Sequence, residues 1–246
     1  MTLPNEEVMD LLRNRFVVGA RNIEREKHVG LSHGYKPDQT AVGTTNGAGG
    51  RNVQIVVLAA DETVLHVLPG FWHAEDLAAE LRLALEIHSL HQDESVAPAQ
   101  KLAMFAALHR SFLRRQSPGT TARSDWQPFD RQAELERSRT APRDTIVPAS
   151  VATPAPAMAA GSPTPVPTLK PINQVVHERM MARPFRRLSA FDMDAFVDYG
   201  RAYYDNNAGL DKGRTFARAE QTNKRREREQ AKAEKAAAAA SKKPRS

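Results

Sequence analysis

VQIVVLAADETVLHVLPGFWHAEDLAAEL, residues 53–81, is the stretch on which the fold turns. Val53 to Ala59 is an almost continuous apolar run set between Arg51-Asn52 and Asp61-Glu62, the pattern of a strand covered on both faces. Val64 to Leu68 follows after a short polar connection, so the two runs read as a β-hairpin. Pro69-Gly70-Phe71-Trp72 stops the second strand. Glu75 and Asp76 then open a helix, where carboxylates favour the positive end of the backbone dipole, and Leu77, Ala78, Leu81 and Leu85 recur at helical spacing.

On the N-terminal side, Asn5 is placed to cap a helix over 5–14 with Glu6 and Glu7 in its first turn and Val8, Leu11 and Leu12 as its apolar stripe. Phe16 to Ala20 is a short β-branched and aromatic run that reads as a strand. Residues 24–51 are polar and rich in turn formers, including Gly30, Pro37, Gly43 and Gly47, and read as a long loop. On the C-terminal side, Pro98 starts a helix with Leu102, Phe105, Leu108, Phe112 and Leu113 on one face. These elements define a domain over 1–116. Residues 117–171 read as a proline-rich disordered linker, because eight of the 16 prolines fall between Pro142 and Pro171 among small residues. Residues 172–208 form an aromatic docking segment whose anchors are Phe185, Phe191, Phe196 and Tyr203, set to dock on residues 1–116 or on another protein. Residues 209–246 are a basic tail, helical or disordered.

Charge and composition narrow the function classes. The chain of 246 residues carries a net charge of +6, but Lys212 to Ser246 holds twelve basic residues against four acids. That tail is +8, which leaves the first 211 residues at −2, so the basicity is local. Lys224, Arg225, Arg226 and Arg228 are its candidate polyanion contacts, and nucleic acid is a candidate partner through them. The absence of cysteine excludes disulfides, zinc ribbons, iron–sulfur ligation and a thiol nucleophile. No apolar run is long enough to span a membrane, and Met1 to Asp10 lacks a signal-peptide core, so a cytoplasmic location is expected. The glycine-rich segment 43–50 lacks the Lys-Ser/Thr and the following helix that a phosphate loop needs. His28 with His33, and His88 with His91, have chelating spacing but no clustered carboxylates, so no metal or other cofactor is assigned. His66 and His73 simply flank the Gly70 turn. No catalytic residue is identified, and no motif marks a Ser-His-Asp arrangement.

Residues 5–18 and 53–81 together resemble the thioredoxin-like family, with Leu68-Pro69-Gly70-Phe71 standing at the family's glycine turn. The resemblance implies an α/β fold, an incomplete thioredoxin-like sandwich ordered helix, strand, long loop, strand, strand, helix, with one added helix. It also implies a peptide groove lined by Arg51, Asn52, Gly70, Phe71 and Trp72, with Trp72 as the main partner contact. The family's CxxC, its first strand and the cis-proline before the buried strand are missing. The expectation is therefore a non-catalytic binding or scaffold protein whose partner is a protein. Two alternatives stand beside it: a thiol–disulfide oxidoreductase whose CxxC-bearing segment and first strand lie upstream of Met1, and a nucleic-acid-associated protein acting through the tail.

Overall fold

The hairpin forms where alternation and turn chemistry coincide. β1 (Gln54–Leu58) pairs antiparallel with β2 (Val64–Pro69), in a register that sets Ile55 against Leu68 and Val57 against His66. Asp61 shapes the connection, its carboxylate accepting from the Thr63 amide at 3.1 Å and the Thr63 hydroxyl at 3.0 Å. In the computed structural model, residues 2–23, 44–49, 53–147 and 167–199 are described. Within them the protein is a mixed helix and strand fold of seven α-helices and this two-stranded sheet. The doubly covered strand is β2, not β1. β2 is buried throughout because α2 (Ala74–Gln92) and α6 (Ile172–Met181) pack on it, whereas only Val57 of β1 is buried and Leu58 is exposed.

α1 (Glu6–Arg15) starts as its sequence dictates, with the Asn5 side chain accepting from the Val8 amide at 3.3 Å and Val8 buried against the core. It lies against α2. The strand expected at Phe16 to Ala20 does not form. The segment pairs with no strand among the described residues, and Val17 and Val18 stand 104% and 65% exposed. Local β preference is not enough, because a strand also needs a neighbour to hydrogen-bond.

α3 (Pro98–Arg115) begins at its proline and packs on α2 and α6, burying Phe105 and His109, while Leu102 of the expected apolar face stays exposed. Order then persists where a linker was expected. α4 (Pro118–Arg123) is capped by Ser117 and α5 (Pro128–Ser138) again begins at a proline. These prolines sit where the first helical turn tolerates a missing amide proton, so they start helices here rather than breaking them. Trp126 between the two helices is buried, its indole N–H donating to Lys170 O at 2.7 Å. Ile146 bridges to Leu169, which brings residues 147 and 167 close in space. Only 148–166 of the expected linker lie outside the described residues.

α6 is the central helix of the C-terminal portion, burying Ile172, Val175, Val176 and Met180. A 3₁₀ turn (Leu188–Ala190) and α7 (Met193–Phe196) complete the described chain. Phe191, Phe196 and Tyr199 belong to the same buried cluster as Leu65, Leu68, Leu81 and Ile87. Tyr203 and the whole tail, including Lys224, Arg225, Arg226 and Arg228, lie outside the described residues. No helix among the described residues is long and apolar enough to cross a membrane.

Candidate functional site

The Gly70 turn is built from residues far apart in sequence. Gly70 has φ +79°, and the segment 46–49 lies directly against it. Phe71 N donates to Ala48 O at 2.8 Å and Gly47 N donates to Phe71 O at 2.6 Å. The Tyr199 hydroxyl donates to Gly47 O at 2.6 Å. Trp72 is 2% exposed, its indole N–H donating to Pro69 O at 3.0 Å, and Thr2 donates to Trp72 O at 2.5 Å. Of the five residues assigned to a peptide groove, Gly70, Phe71 and Trp72 thus meet this chain's own backbone, while Arg51 and Asn52 lie outside the described residues.

Asn46 extends this arrangement to the start of α2. Its carbonyl oxygen accepts from the His73 amide at 2.8 Å, and its amide donates to Asp76 at 2.8 Å. His73 makes no side-chain cap itself, so Asn46 caps the helix from a distance. Arg123 binds Asp76 through two hydrogen bonds of 2.8 Å each. Burial pushes the Asp76 carboxyl up, but Arg123, Asn46 and Thr120 together hold it below its ordinary range. A second network joins Glu134 to Arg137, Arg143 and Thr145, and carries on through both arginines to Asp198.

The third cluster sits in the middle of the core and contains no arginine or lysine. His66 from β2, Glu80 from α2, His109 from α3 and His177 from α6 are all buried. His66 Nε2 lies 2.8 Å from Glu80 Oε2 and His177 Nε2 lies 3.2 Å from Glu80 Oε1. His109 Nδ1 lies 2.7 Å from His177 Nδ1. With Glu80 ionised and the imidazoles neutral, hydrogen-bond chemistry fixes every tautomer. His66 and His177 donate from Nε2 to the carboxylate, and His109 donates from Nδ1 to His177 Nδ1. The two remaining ring atoms, His66 Nδ1 and His109 Nε2, are buried with no partner. Burial holds both His66 and His109 below the ordinary imidazole value. Burial also pushes the Glu80 carboxyl up, but His177 and His66 more than offset this and bring it down to about 2.

Among the described residues, one group of three side chains converges with metal-ligating atoms, and it is His66, Glu80 and His177. The histidines singled out by spacing sit elsewhere. His91 stacks on Phe185 at 5.3 Å and lies 3.5 Å from Asp61, His88 is half-buried on α2, and His28 and His33 are outside the described residues. Sequence spacing missed the cluster because its members come from four elements and no two share a short interval. The available signal was a polar residue inside an apolar run: His66 within Val64-Leu65-His66-Val67-Leu68, Glu80 beside Leu81, and His177 after Val175-Val176. Of the aromatic anchors, Phe185 packs 4.9 Å from Phe105 and Phe191 5.3 Å from Phe196.

No family model, curated protein or solved structure matches this chain.

Proposed function

We propose that the chain is a non-catalytic binding protein that takes a protein partner along the edge of its two-stranded sheet. The observation that carries this reading is the outer edge of β1. β2 has its far side engaged, with Val64 N donating to Arg186 O at 2.8 Å and Thr63 bridged to Arg187. β1 pairs only with β2 among the described residues, and apolar Val53 and Leu58 at its ends are 54% and 38% exposed. An unpaired edge flanked by exposed apolar side chains is a template for an added strand, where backbone hydrogen bonds supply affinity and alternate side chains supply selectivity. Val17 and Val18 add further exposed apolar surface. The thioredoxin-like resemblance is part of the same proposal, supported by the order of hairpin, glycine turn and helix. With no cysteine in the sequence, the chain has no thiol to exchange, so binding is the activity left to such a scaffold.

A peptide-display selection on the immobilised full chain tests this. Extended peptides rich in β-branched residues are expected, with slowed amide exchange in β1 when they bind. Leu58→Lys combined with Val53→Lys is expected to weaken binding by about tenfold or more at unchanged melting temperature, since both side chains are on the surface. Protection confined to another element, or undiminished binding by the double variant, would overturn the assignment.

A further inference from the structure

We infer that His66 Nε2, His177 Nε2 and the Glu80 carboxylate form a site for one divalent transition-metal ion of the zinc class, with His109 as the outer partner that orients His177. This inference is independent of the sheet-edge reading, because the site is enclosed in the core and presents nothing to a protein partner.

Three observations lead to it. The first is the donor set. Two imidazoles and a carboxylate suit zinc and its first-row neighbours, and the three ligand atoms lie within 4.8 Å of one another. At metal–ligand distances of about 2.0–2.2 Å, neighbouring donors of a tetrahedral site stand about 3.3 Å apart. The His177 to Glu80 separation of 3.2 Å already meets this, and the His66 to Glu80 separation of 2.8 Å needs to open by about half an ångström. Each imidazole faces a different carboxylate oxygen, so a bidentate Glu80 completes four donors.

The second is charge. Each of the other buried carboxylates in the networks described above is met by a guanidinium, Asp76 by Arg123 and Glu134 by Arg137 and Arg143. Glu80 is compensated by imidazoles alone. A buried carboxylate without a fixed cation is costly. A metal ion supplies the missing positive charge.

The third is the contact of His109 Nδ1 with His177 Nδ1 at 2.7 Å. When Nε2 of His66 and His177 bind metal, their protons move to Nδ1. His177 then donates from Nδ1 to His109 Nδ1, and His109 carries its proton on Nε2. Starting from neutral imidazoles, this exchange gains and loses no proton. His177, held through its second nitrogen by His109, has the usual outer-shell arrangement of such sites. Because the cluster is buried, the ion would be structural, fastening β2, α2 and α6 together rather than acting on a substrate.

The test uses the full chain stripped with chelator and titrated with Zn²⁺. One saturable site is expected, with a melting temperature raised by about 5–10 °C at a hundredfold excess over Kd. X-ray absorption of the zinc-loaded wild type is expected to show two imidazoles and carboxylate oxygen at about 2.0–2.2 Å. Glu80→Gln keeps the shape and removes the charge, and is expected to weaken binding at least about tenfold. The combined change of His28, His33, His88 and His91 to Ala is expected to leave it intact. Absence of a saturable site in the wild type, its loss in the four-histidine variant, or its indifference to Glu80→Gln would overturn the inference. If Glu80→Gln does not fold, the ligand count from X-ray absorption on the wild type decides.

Discussion

Replacing Gly70 with alanine tests whether the turn is held by the segment packed on it. At φ +79° an alanine incurs about 1–2 kcal/mol of left-handed backbone strain. Its Cβ would also stand 2.4 Å from Ala48 O and 2.5 Å from Gly47 C and O, all backbone atoms that cannot swing aside like a side chain. Segment 46–49 must therefore retreat, which disrupts the hydrogen bonds Phe71 N to Ala48 O and Gly47 N to Phe71 O, each contributing about 1 kcal/mol. The expected cost is about 3–4 kcal/mol, read as a fall of about 1–2 M in the urea midpoint at unchanged slope. Gly49→Ala is the control. Gly49 has φ +70° but nothing within 4 Å of the added Cβ, so it incurs the backbone strain alone. Equal losses in the two variants, with trimming of Gly70→Ala to about 1 kcal/mol, would refute the steric argument.

Three further outcomes follow from the packing and the charges. Phe105→Ala removes a fully buried ring packed on Phe185 and His109 and is expected to cost about 3–5 kcal/mol by equilibrium unfolding. Tyr199→Phe deletes the hydroxyl that donates to Gly47 O and is expected to cost about 1–3 kcal/mol by equilibrium unfolding. Burial pushes the Asp198 carboxyl up, but Arg143 and Arg137 outweigh it and bring it down to about 2 from an ordinary 3.8. Its folded value is depressed, so its stabilisation is present above pH 4 or so and is lost as the pH falls toward 2. Asp198→Asn is expected to flatten the acid limb of the stability profile over that window, and an unchanged limb would remove Asp198 from the account.

The start of α1, the hairpin, the Gly70 turn and the opening of α2 were legible in the sequence because each rests on local chemistry: an Asn cap, a polar break between apolar runs, a glycine, and acids followed by leucines at helical spacing. Where reading failed, the deciding force was not local. Phe16 to Ala20 has the residues of a strand and no neighbour to pair with. Residues 118–138 fall within the stretch read as a linker, yet Pro118 and Pro128 begin helices there, and Trp126 bonds to Lys170 while Glu134 reaches Asp198 through Arg137. Asn46, in a glycine-rich loop, caps a helix that begins at Ala74.

Composition by itself determined that no thiol chemistry is available, that the net positive charge resides in the last 35 residues, and that the aromatic residues between Phe185 and Tyr204 need a surface to cover them. Only the tertiary structure decided which surface that is: for Phe185, Phe191 and Phe196 it is this chain's own core. It also decided that His66, Glu80, His109 and His177 meet. A side chain's neighbours across a core are set by how helices and strands pack, and residues 14 to 111 positions apart carry no periodic signal of one another.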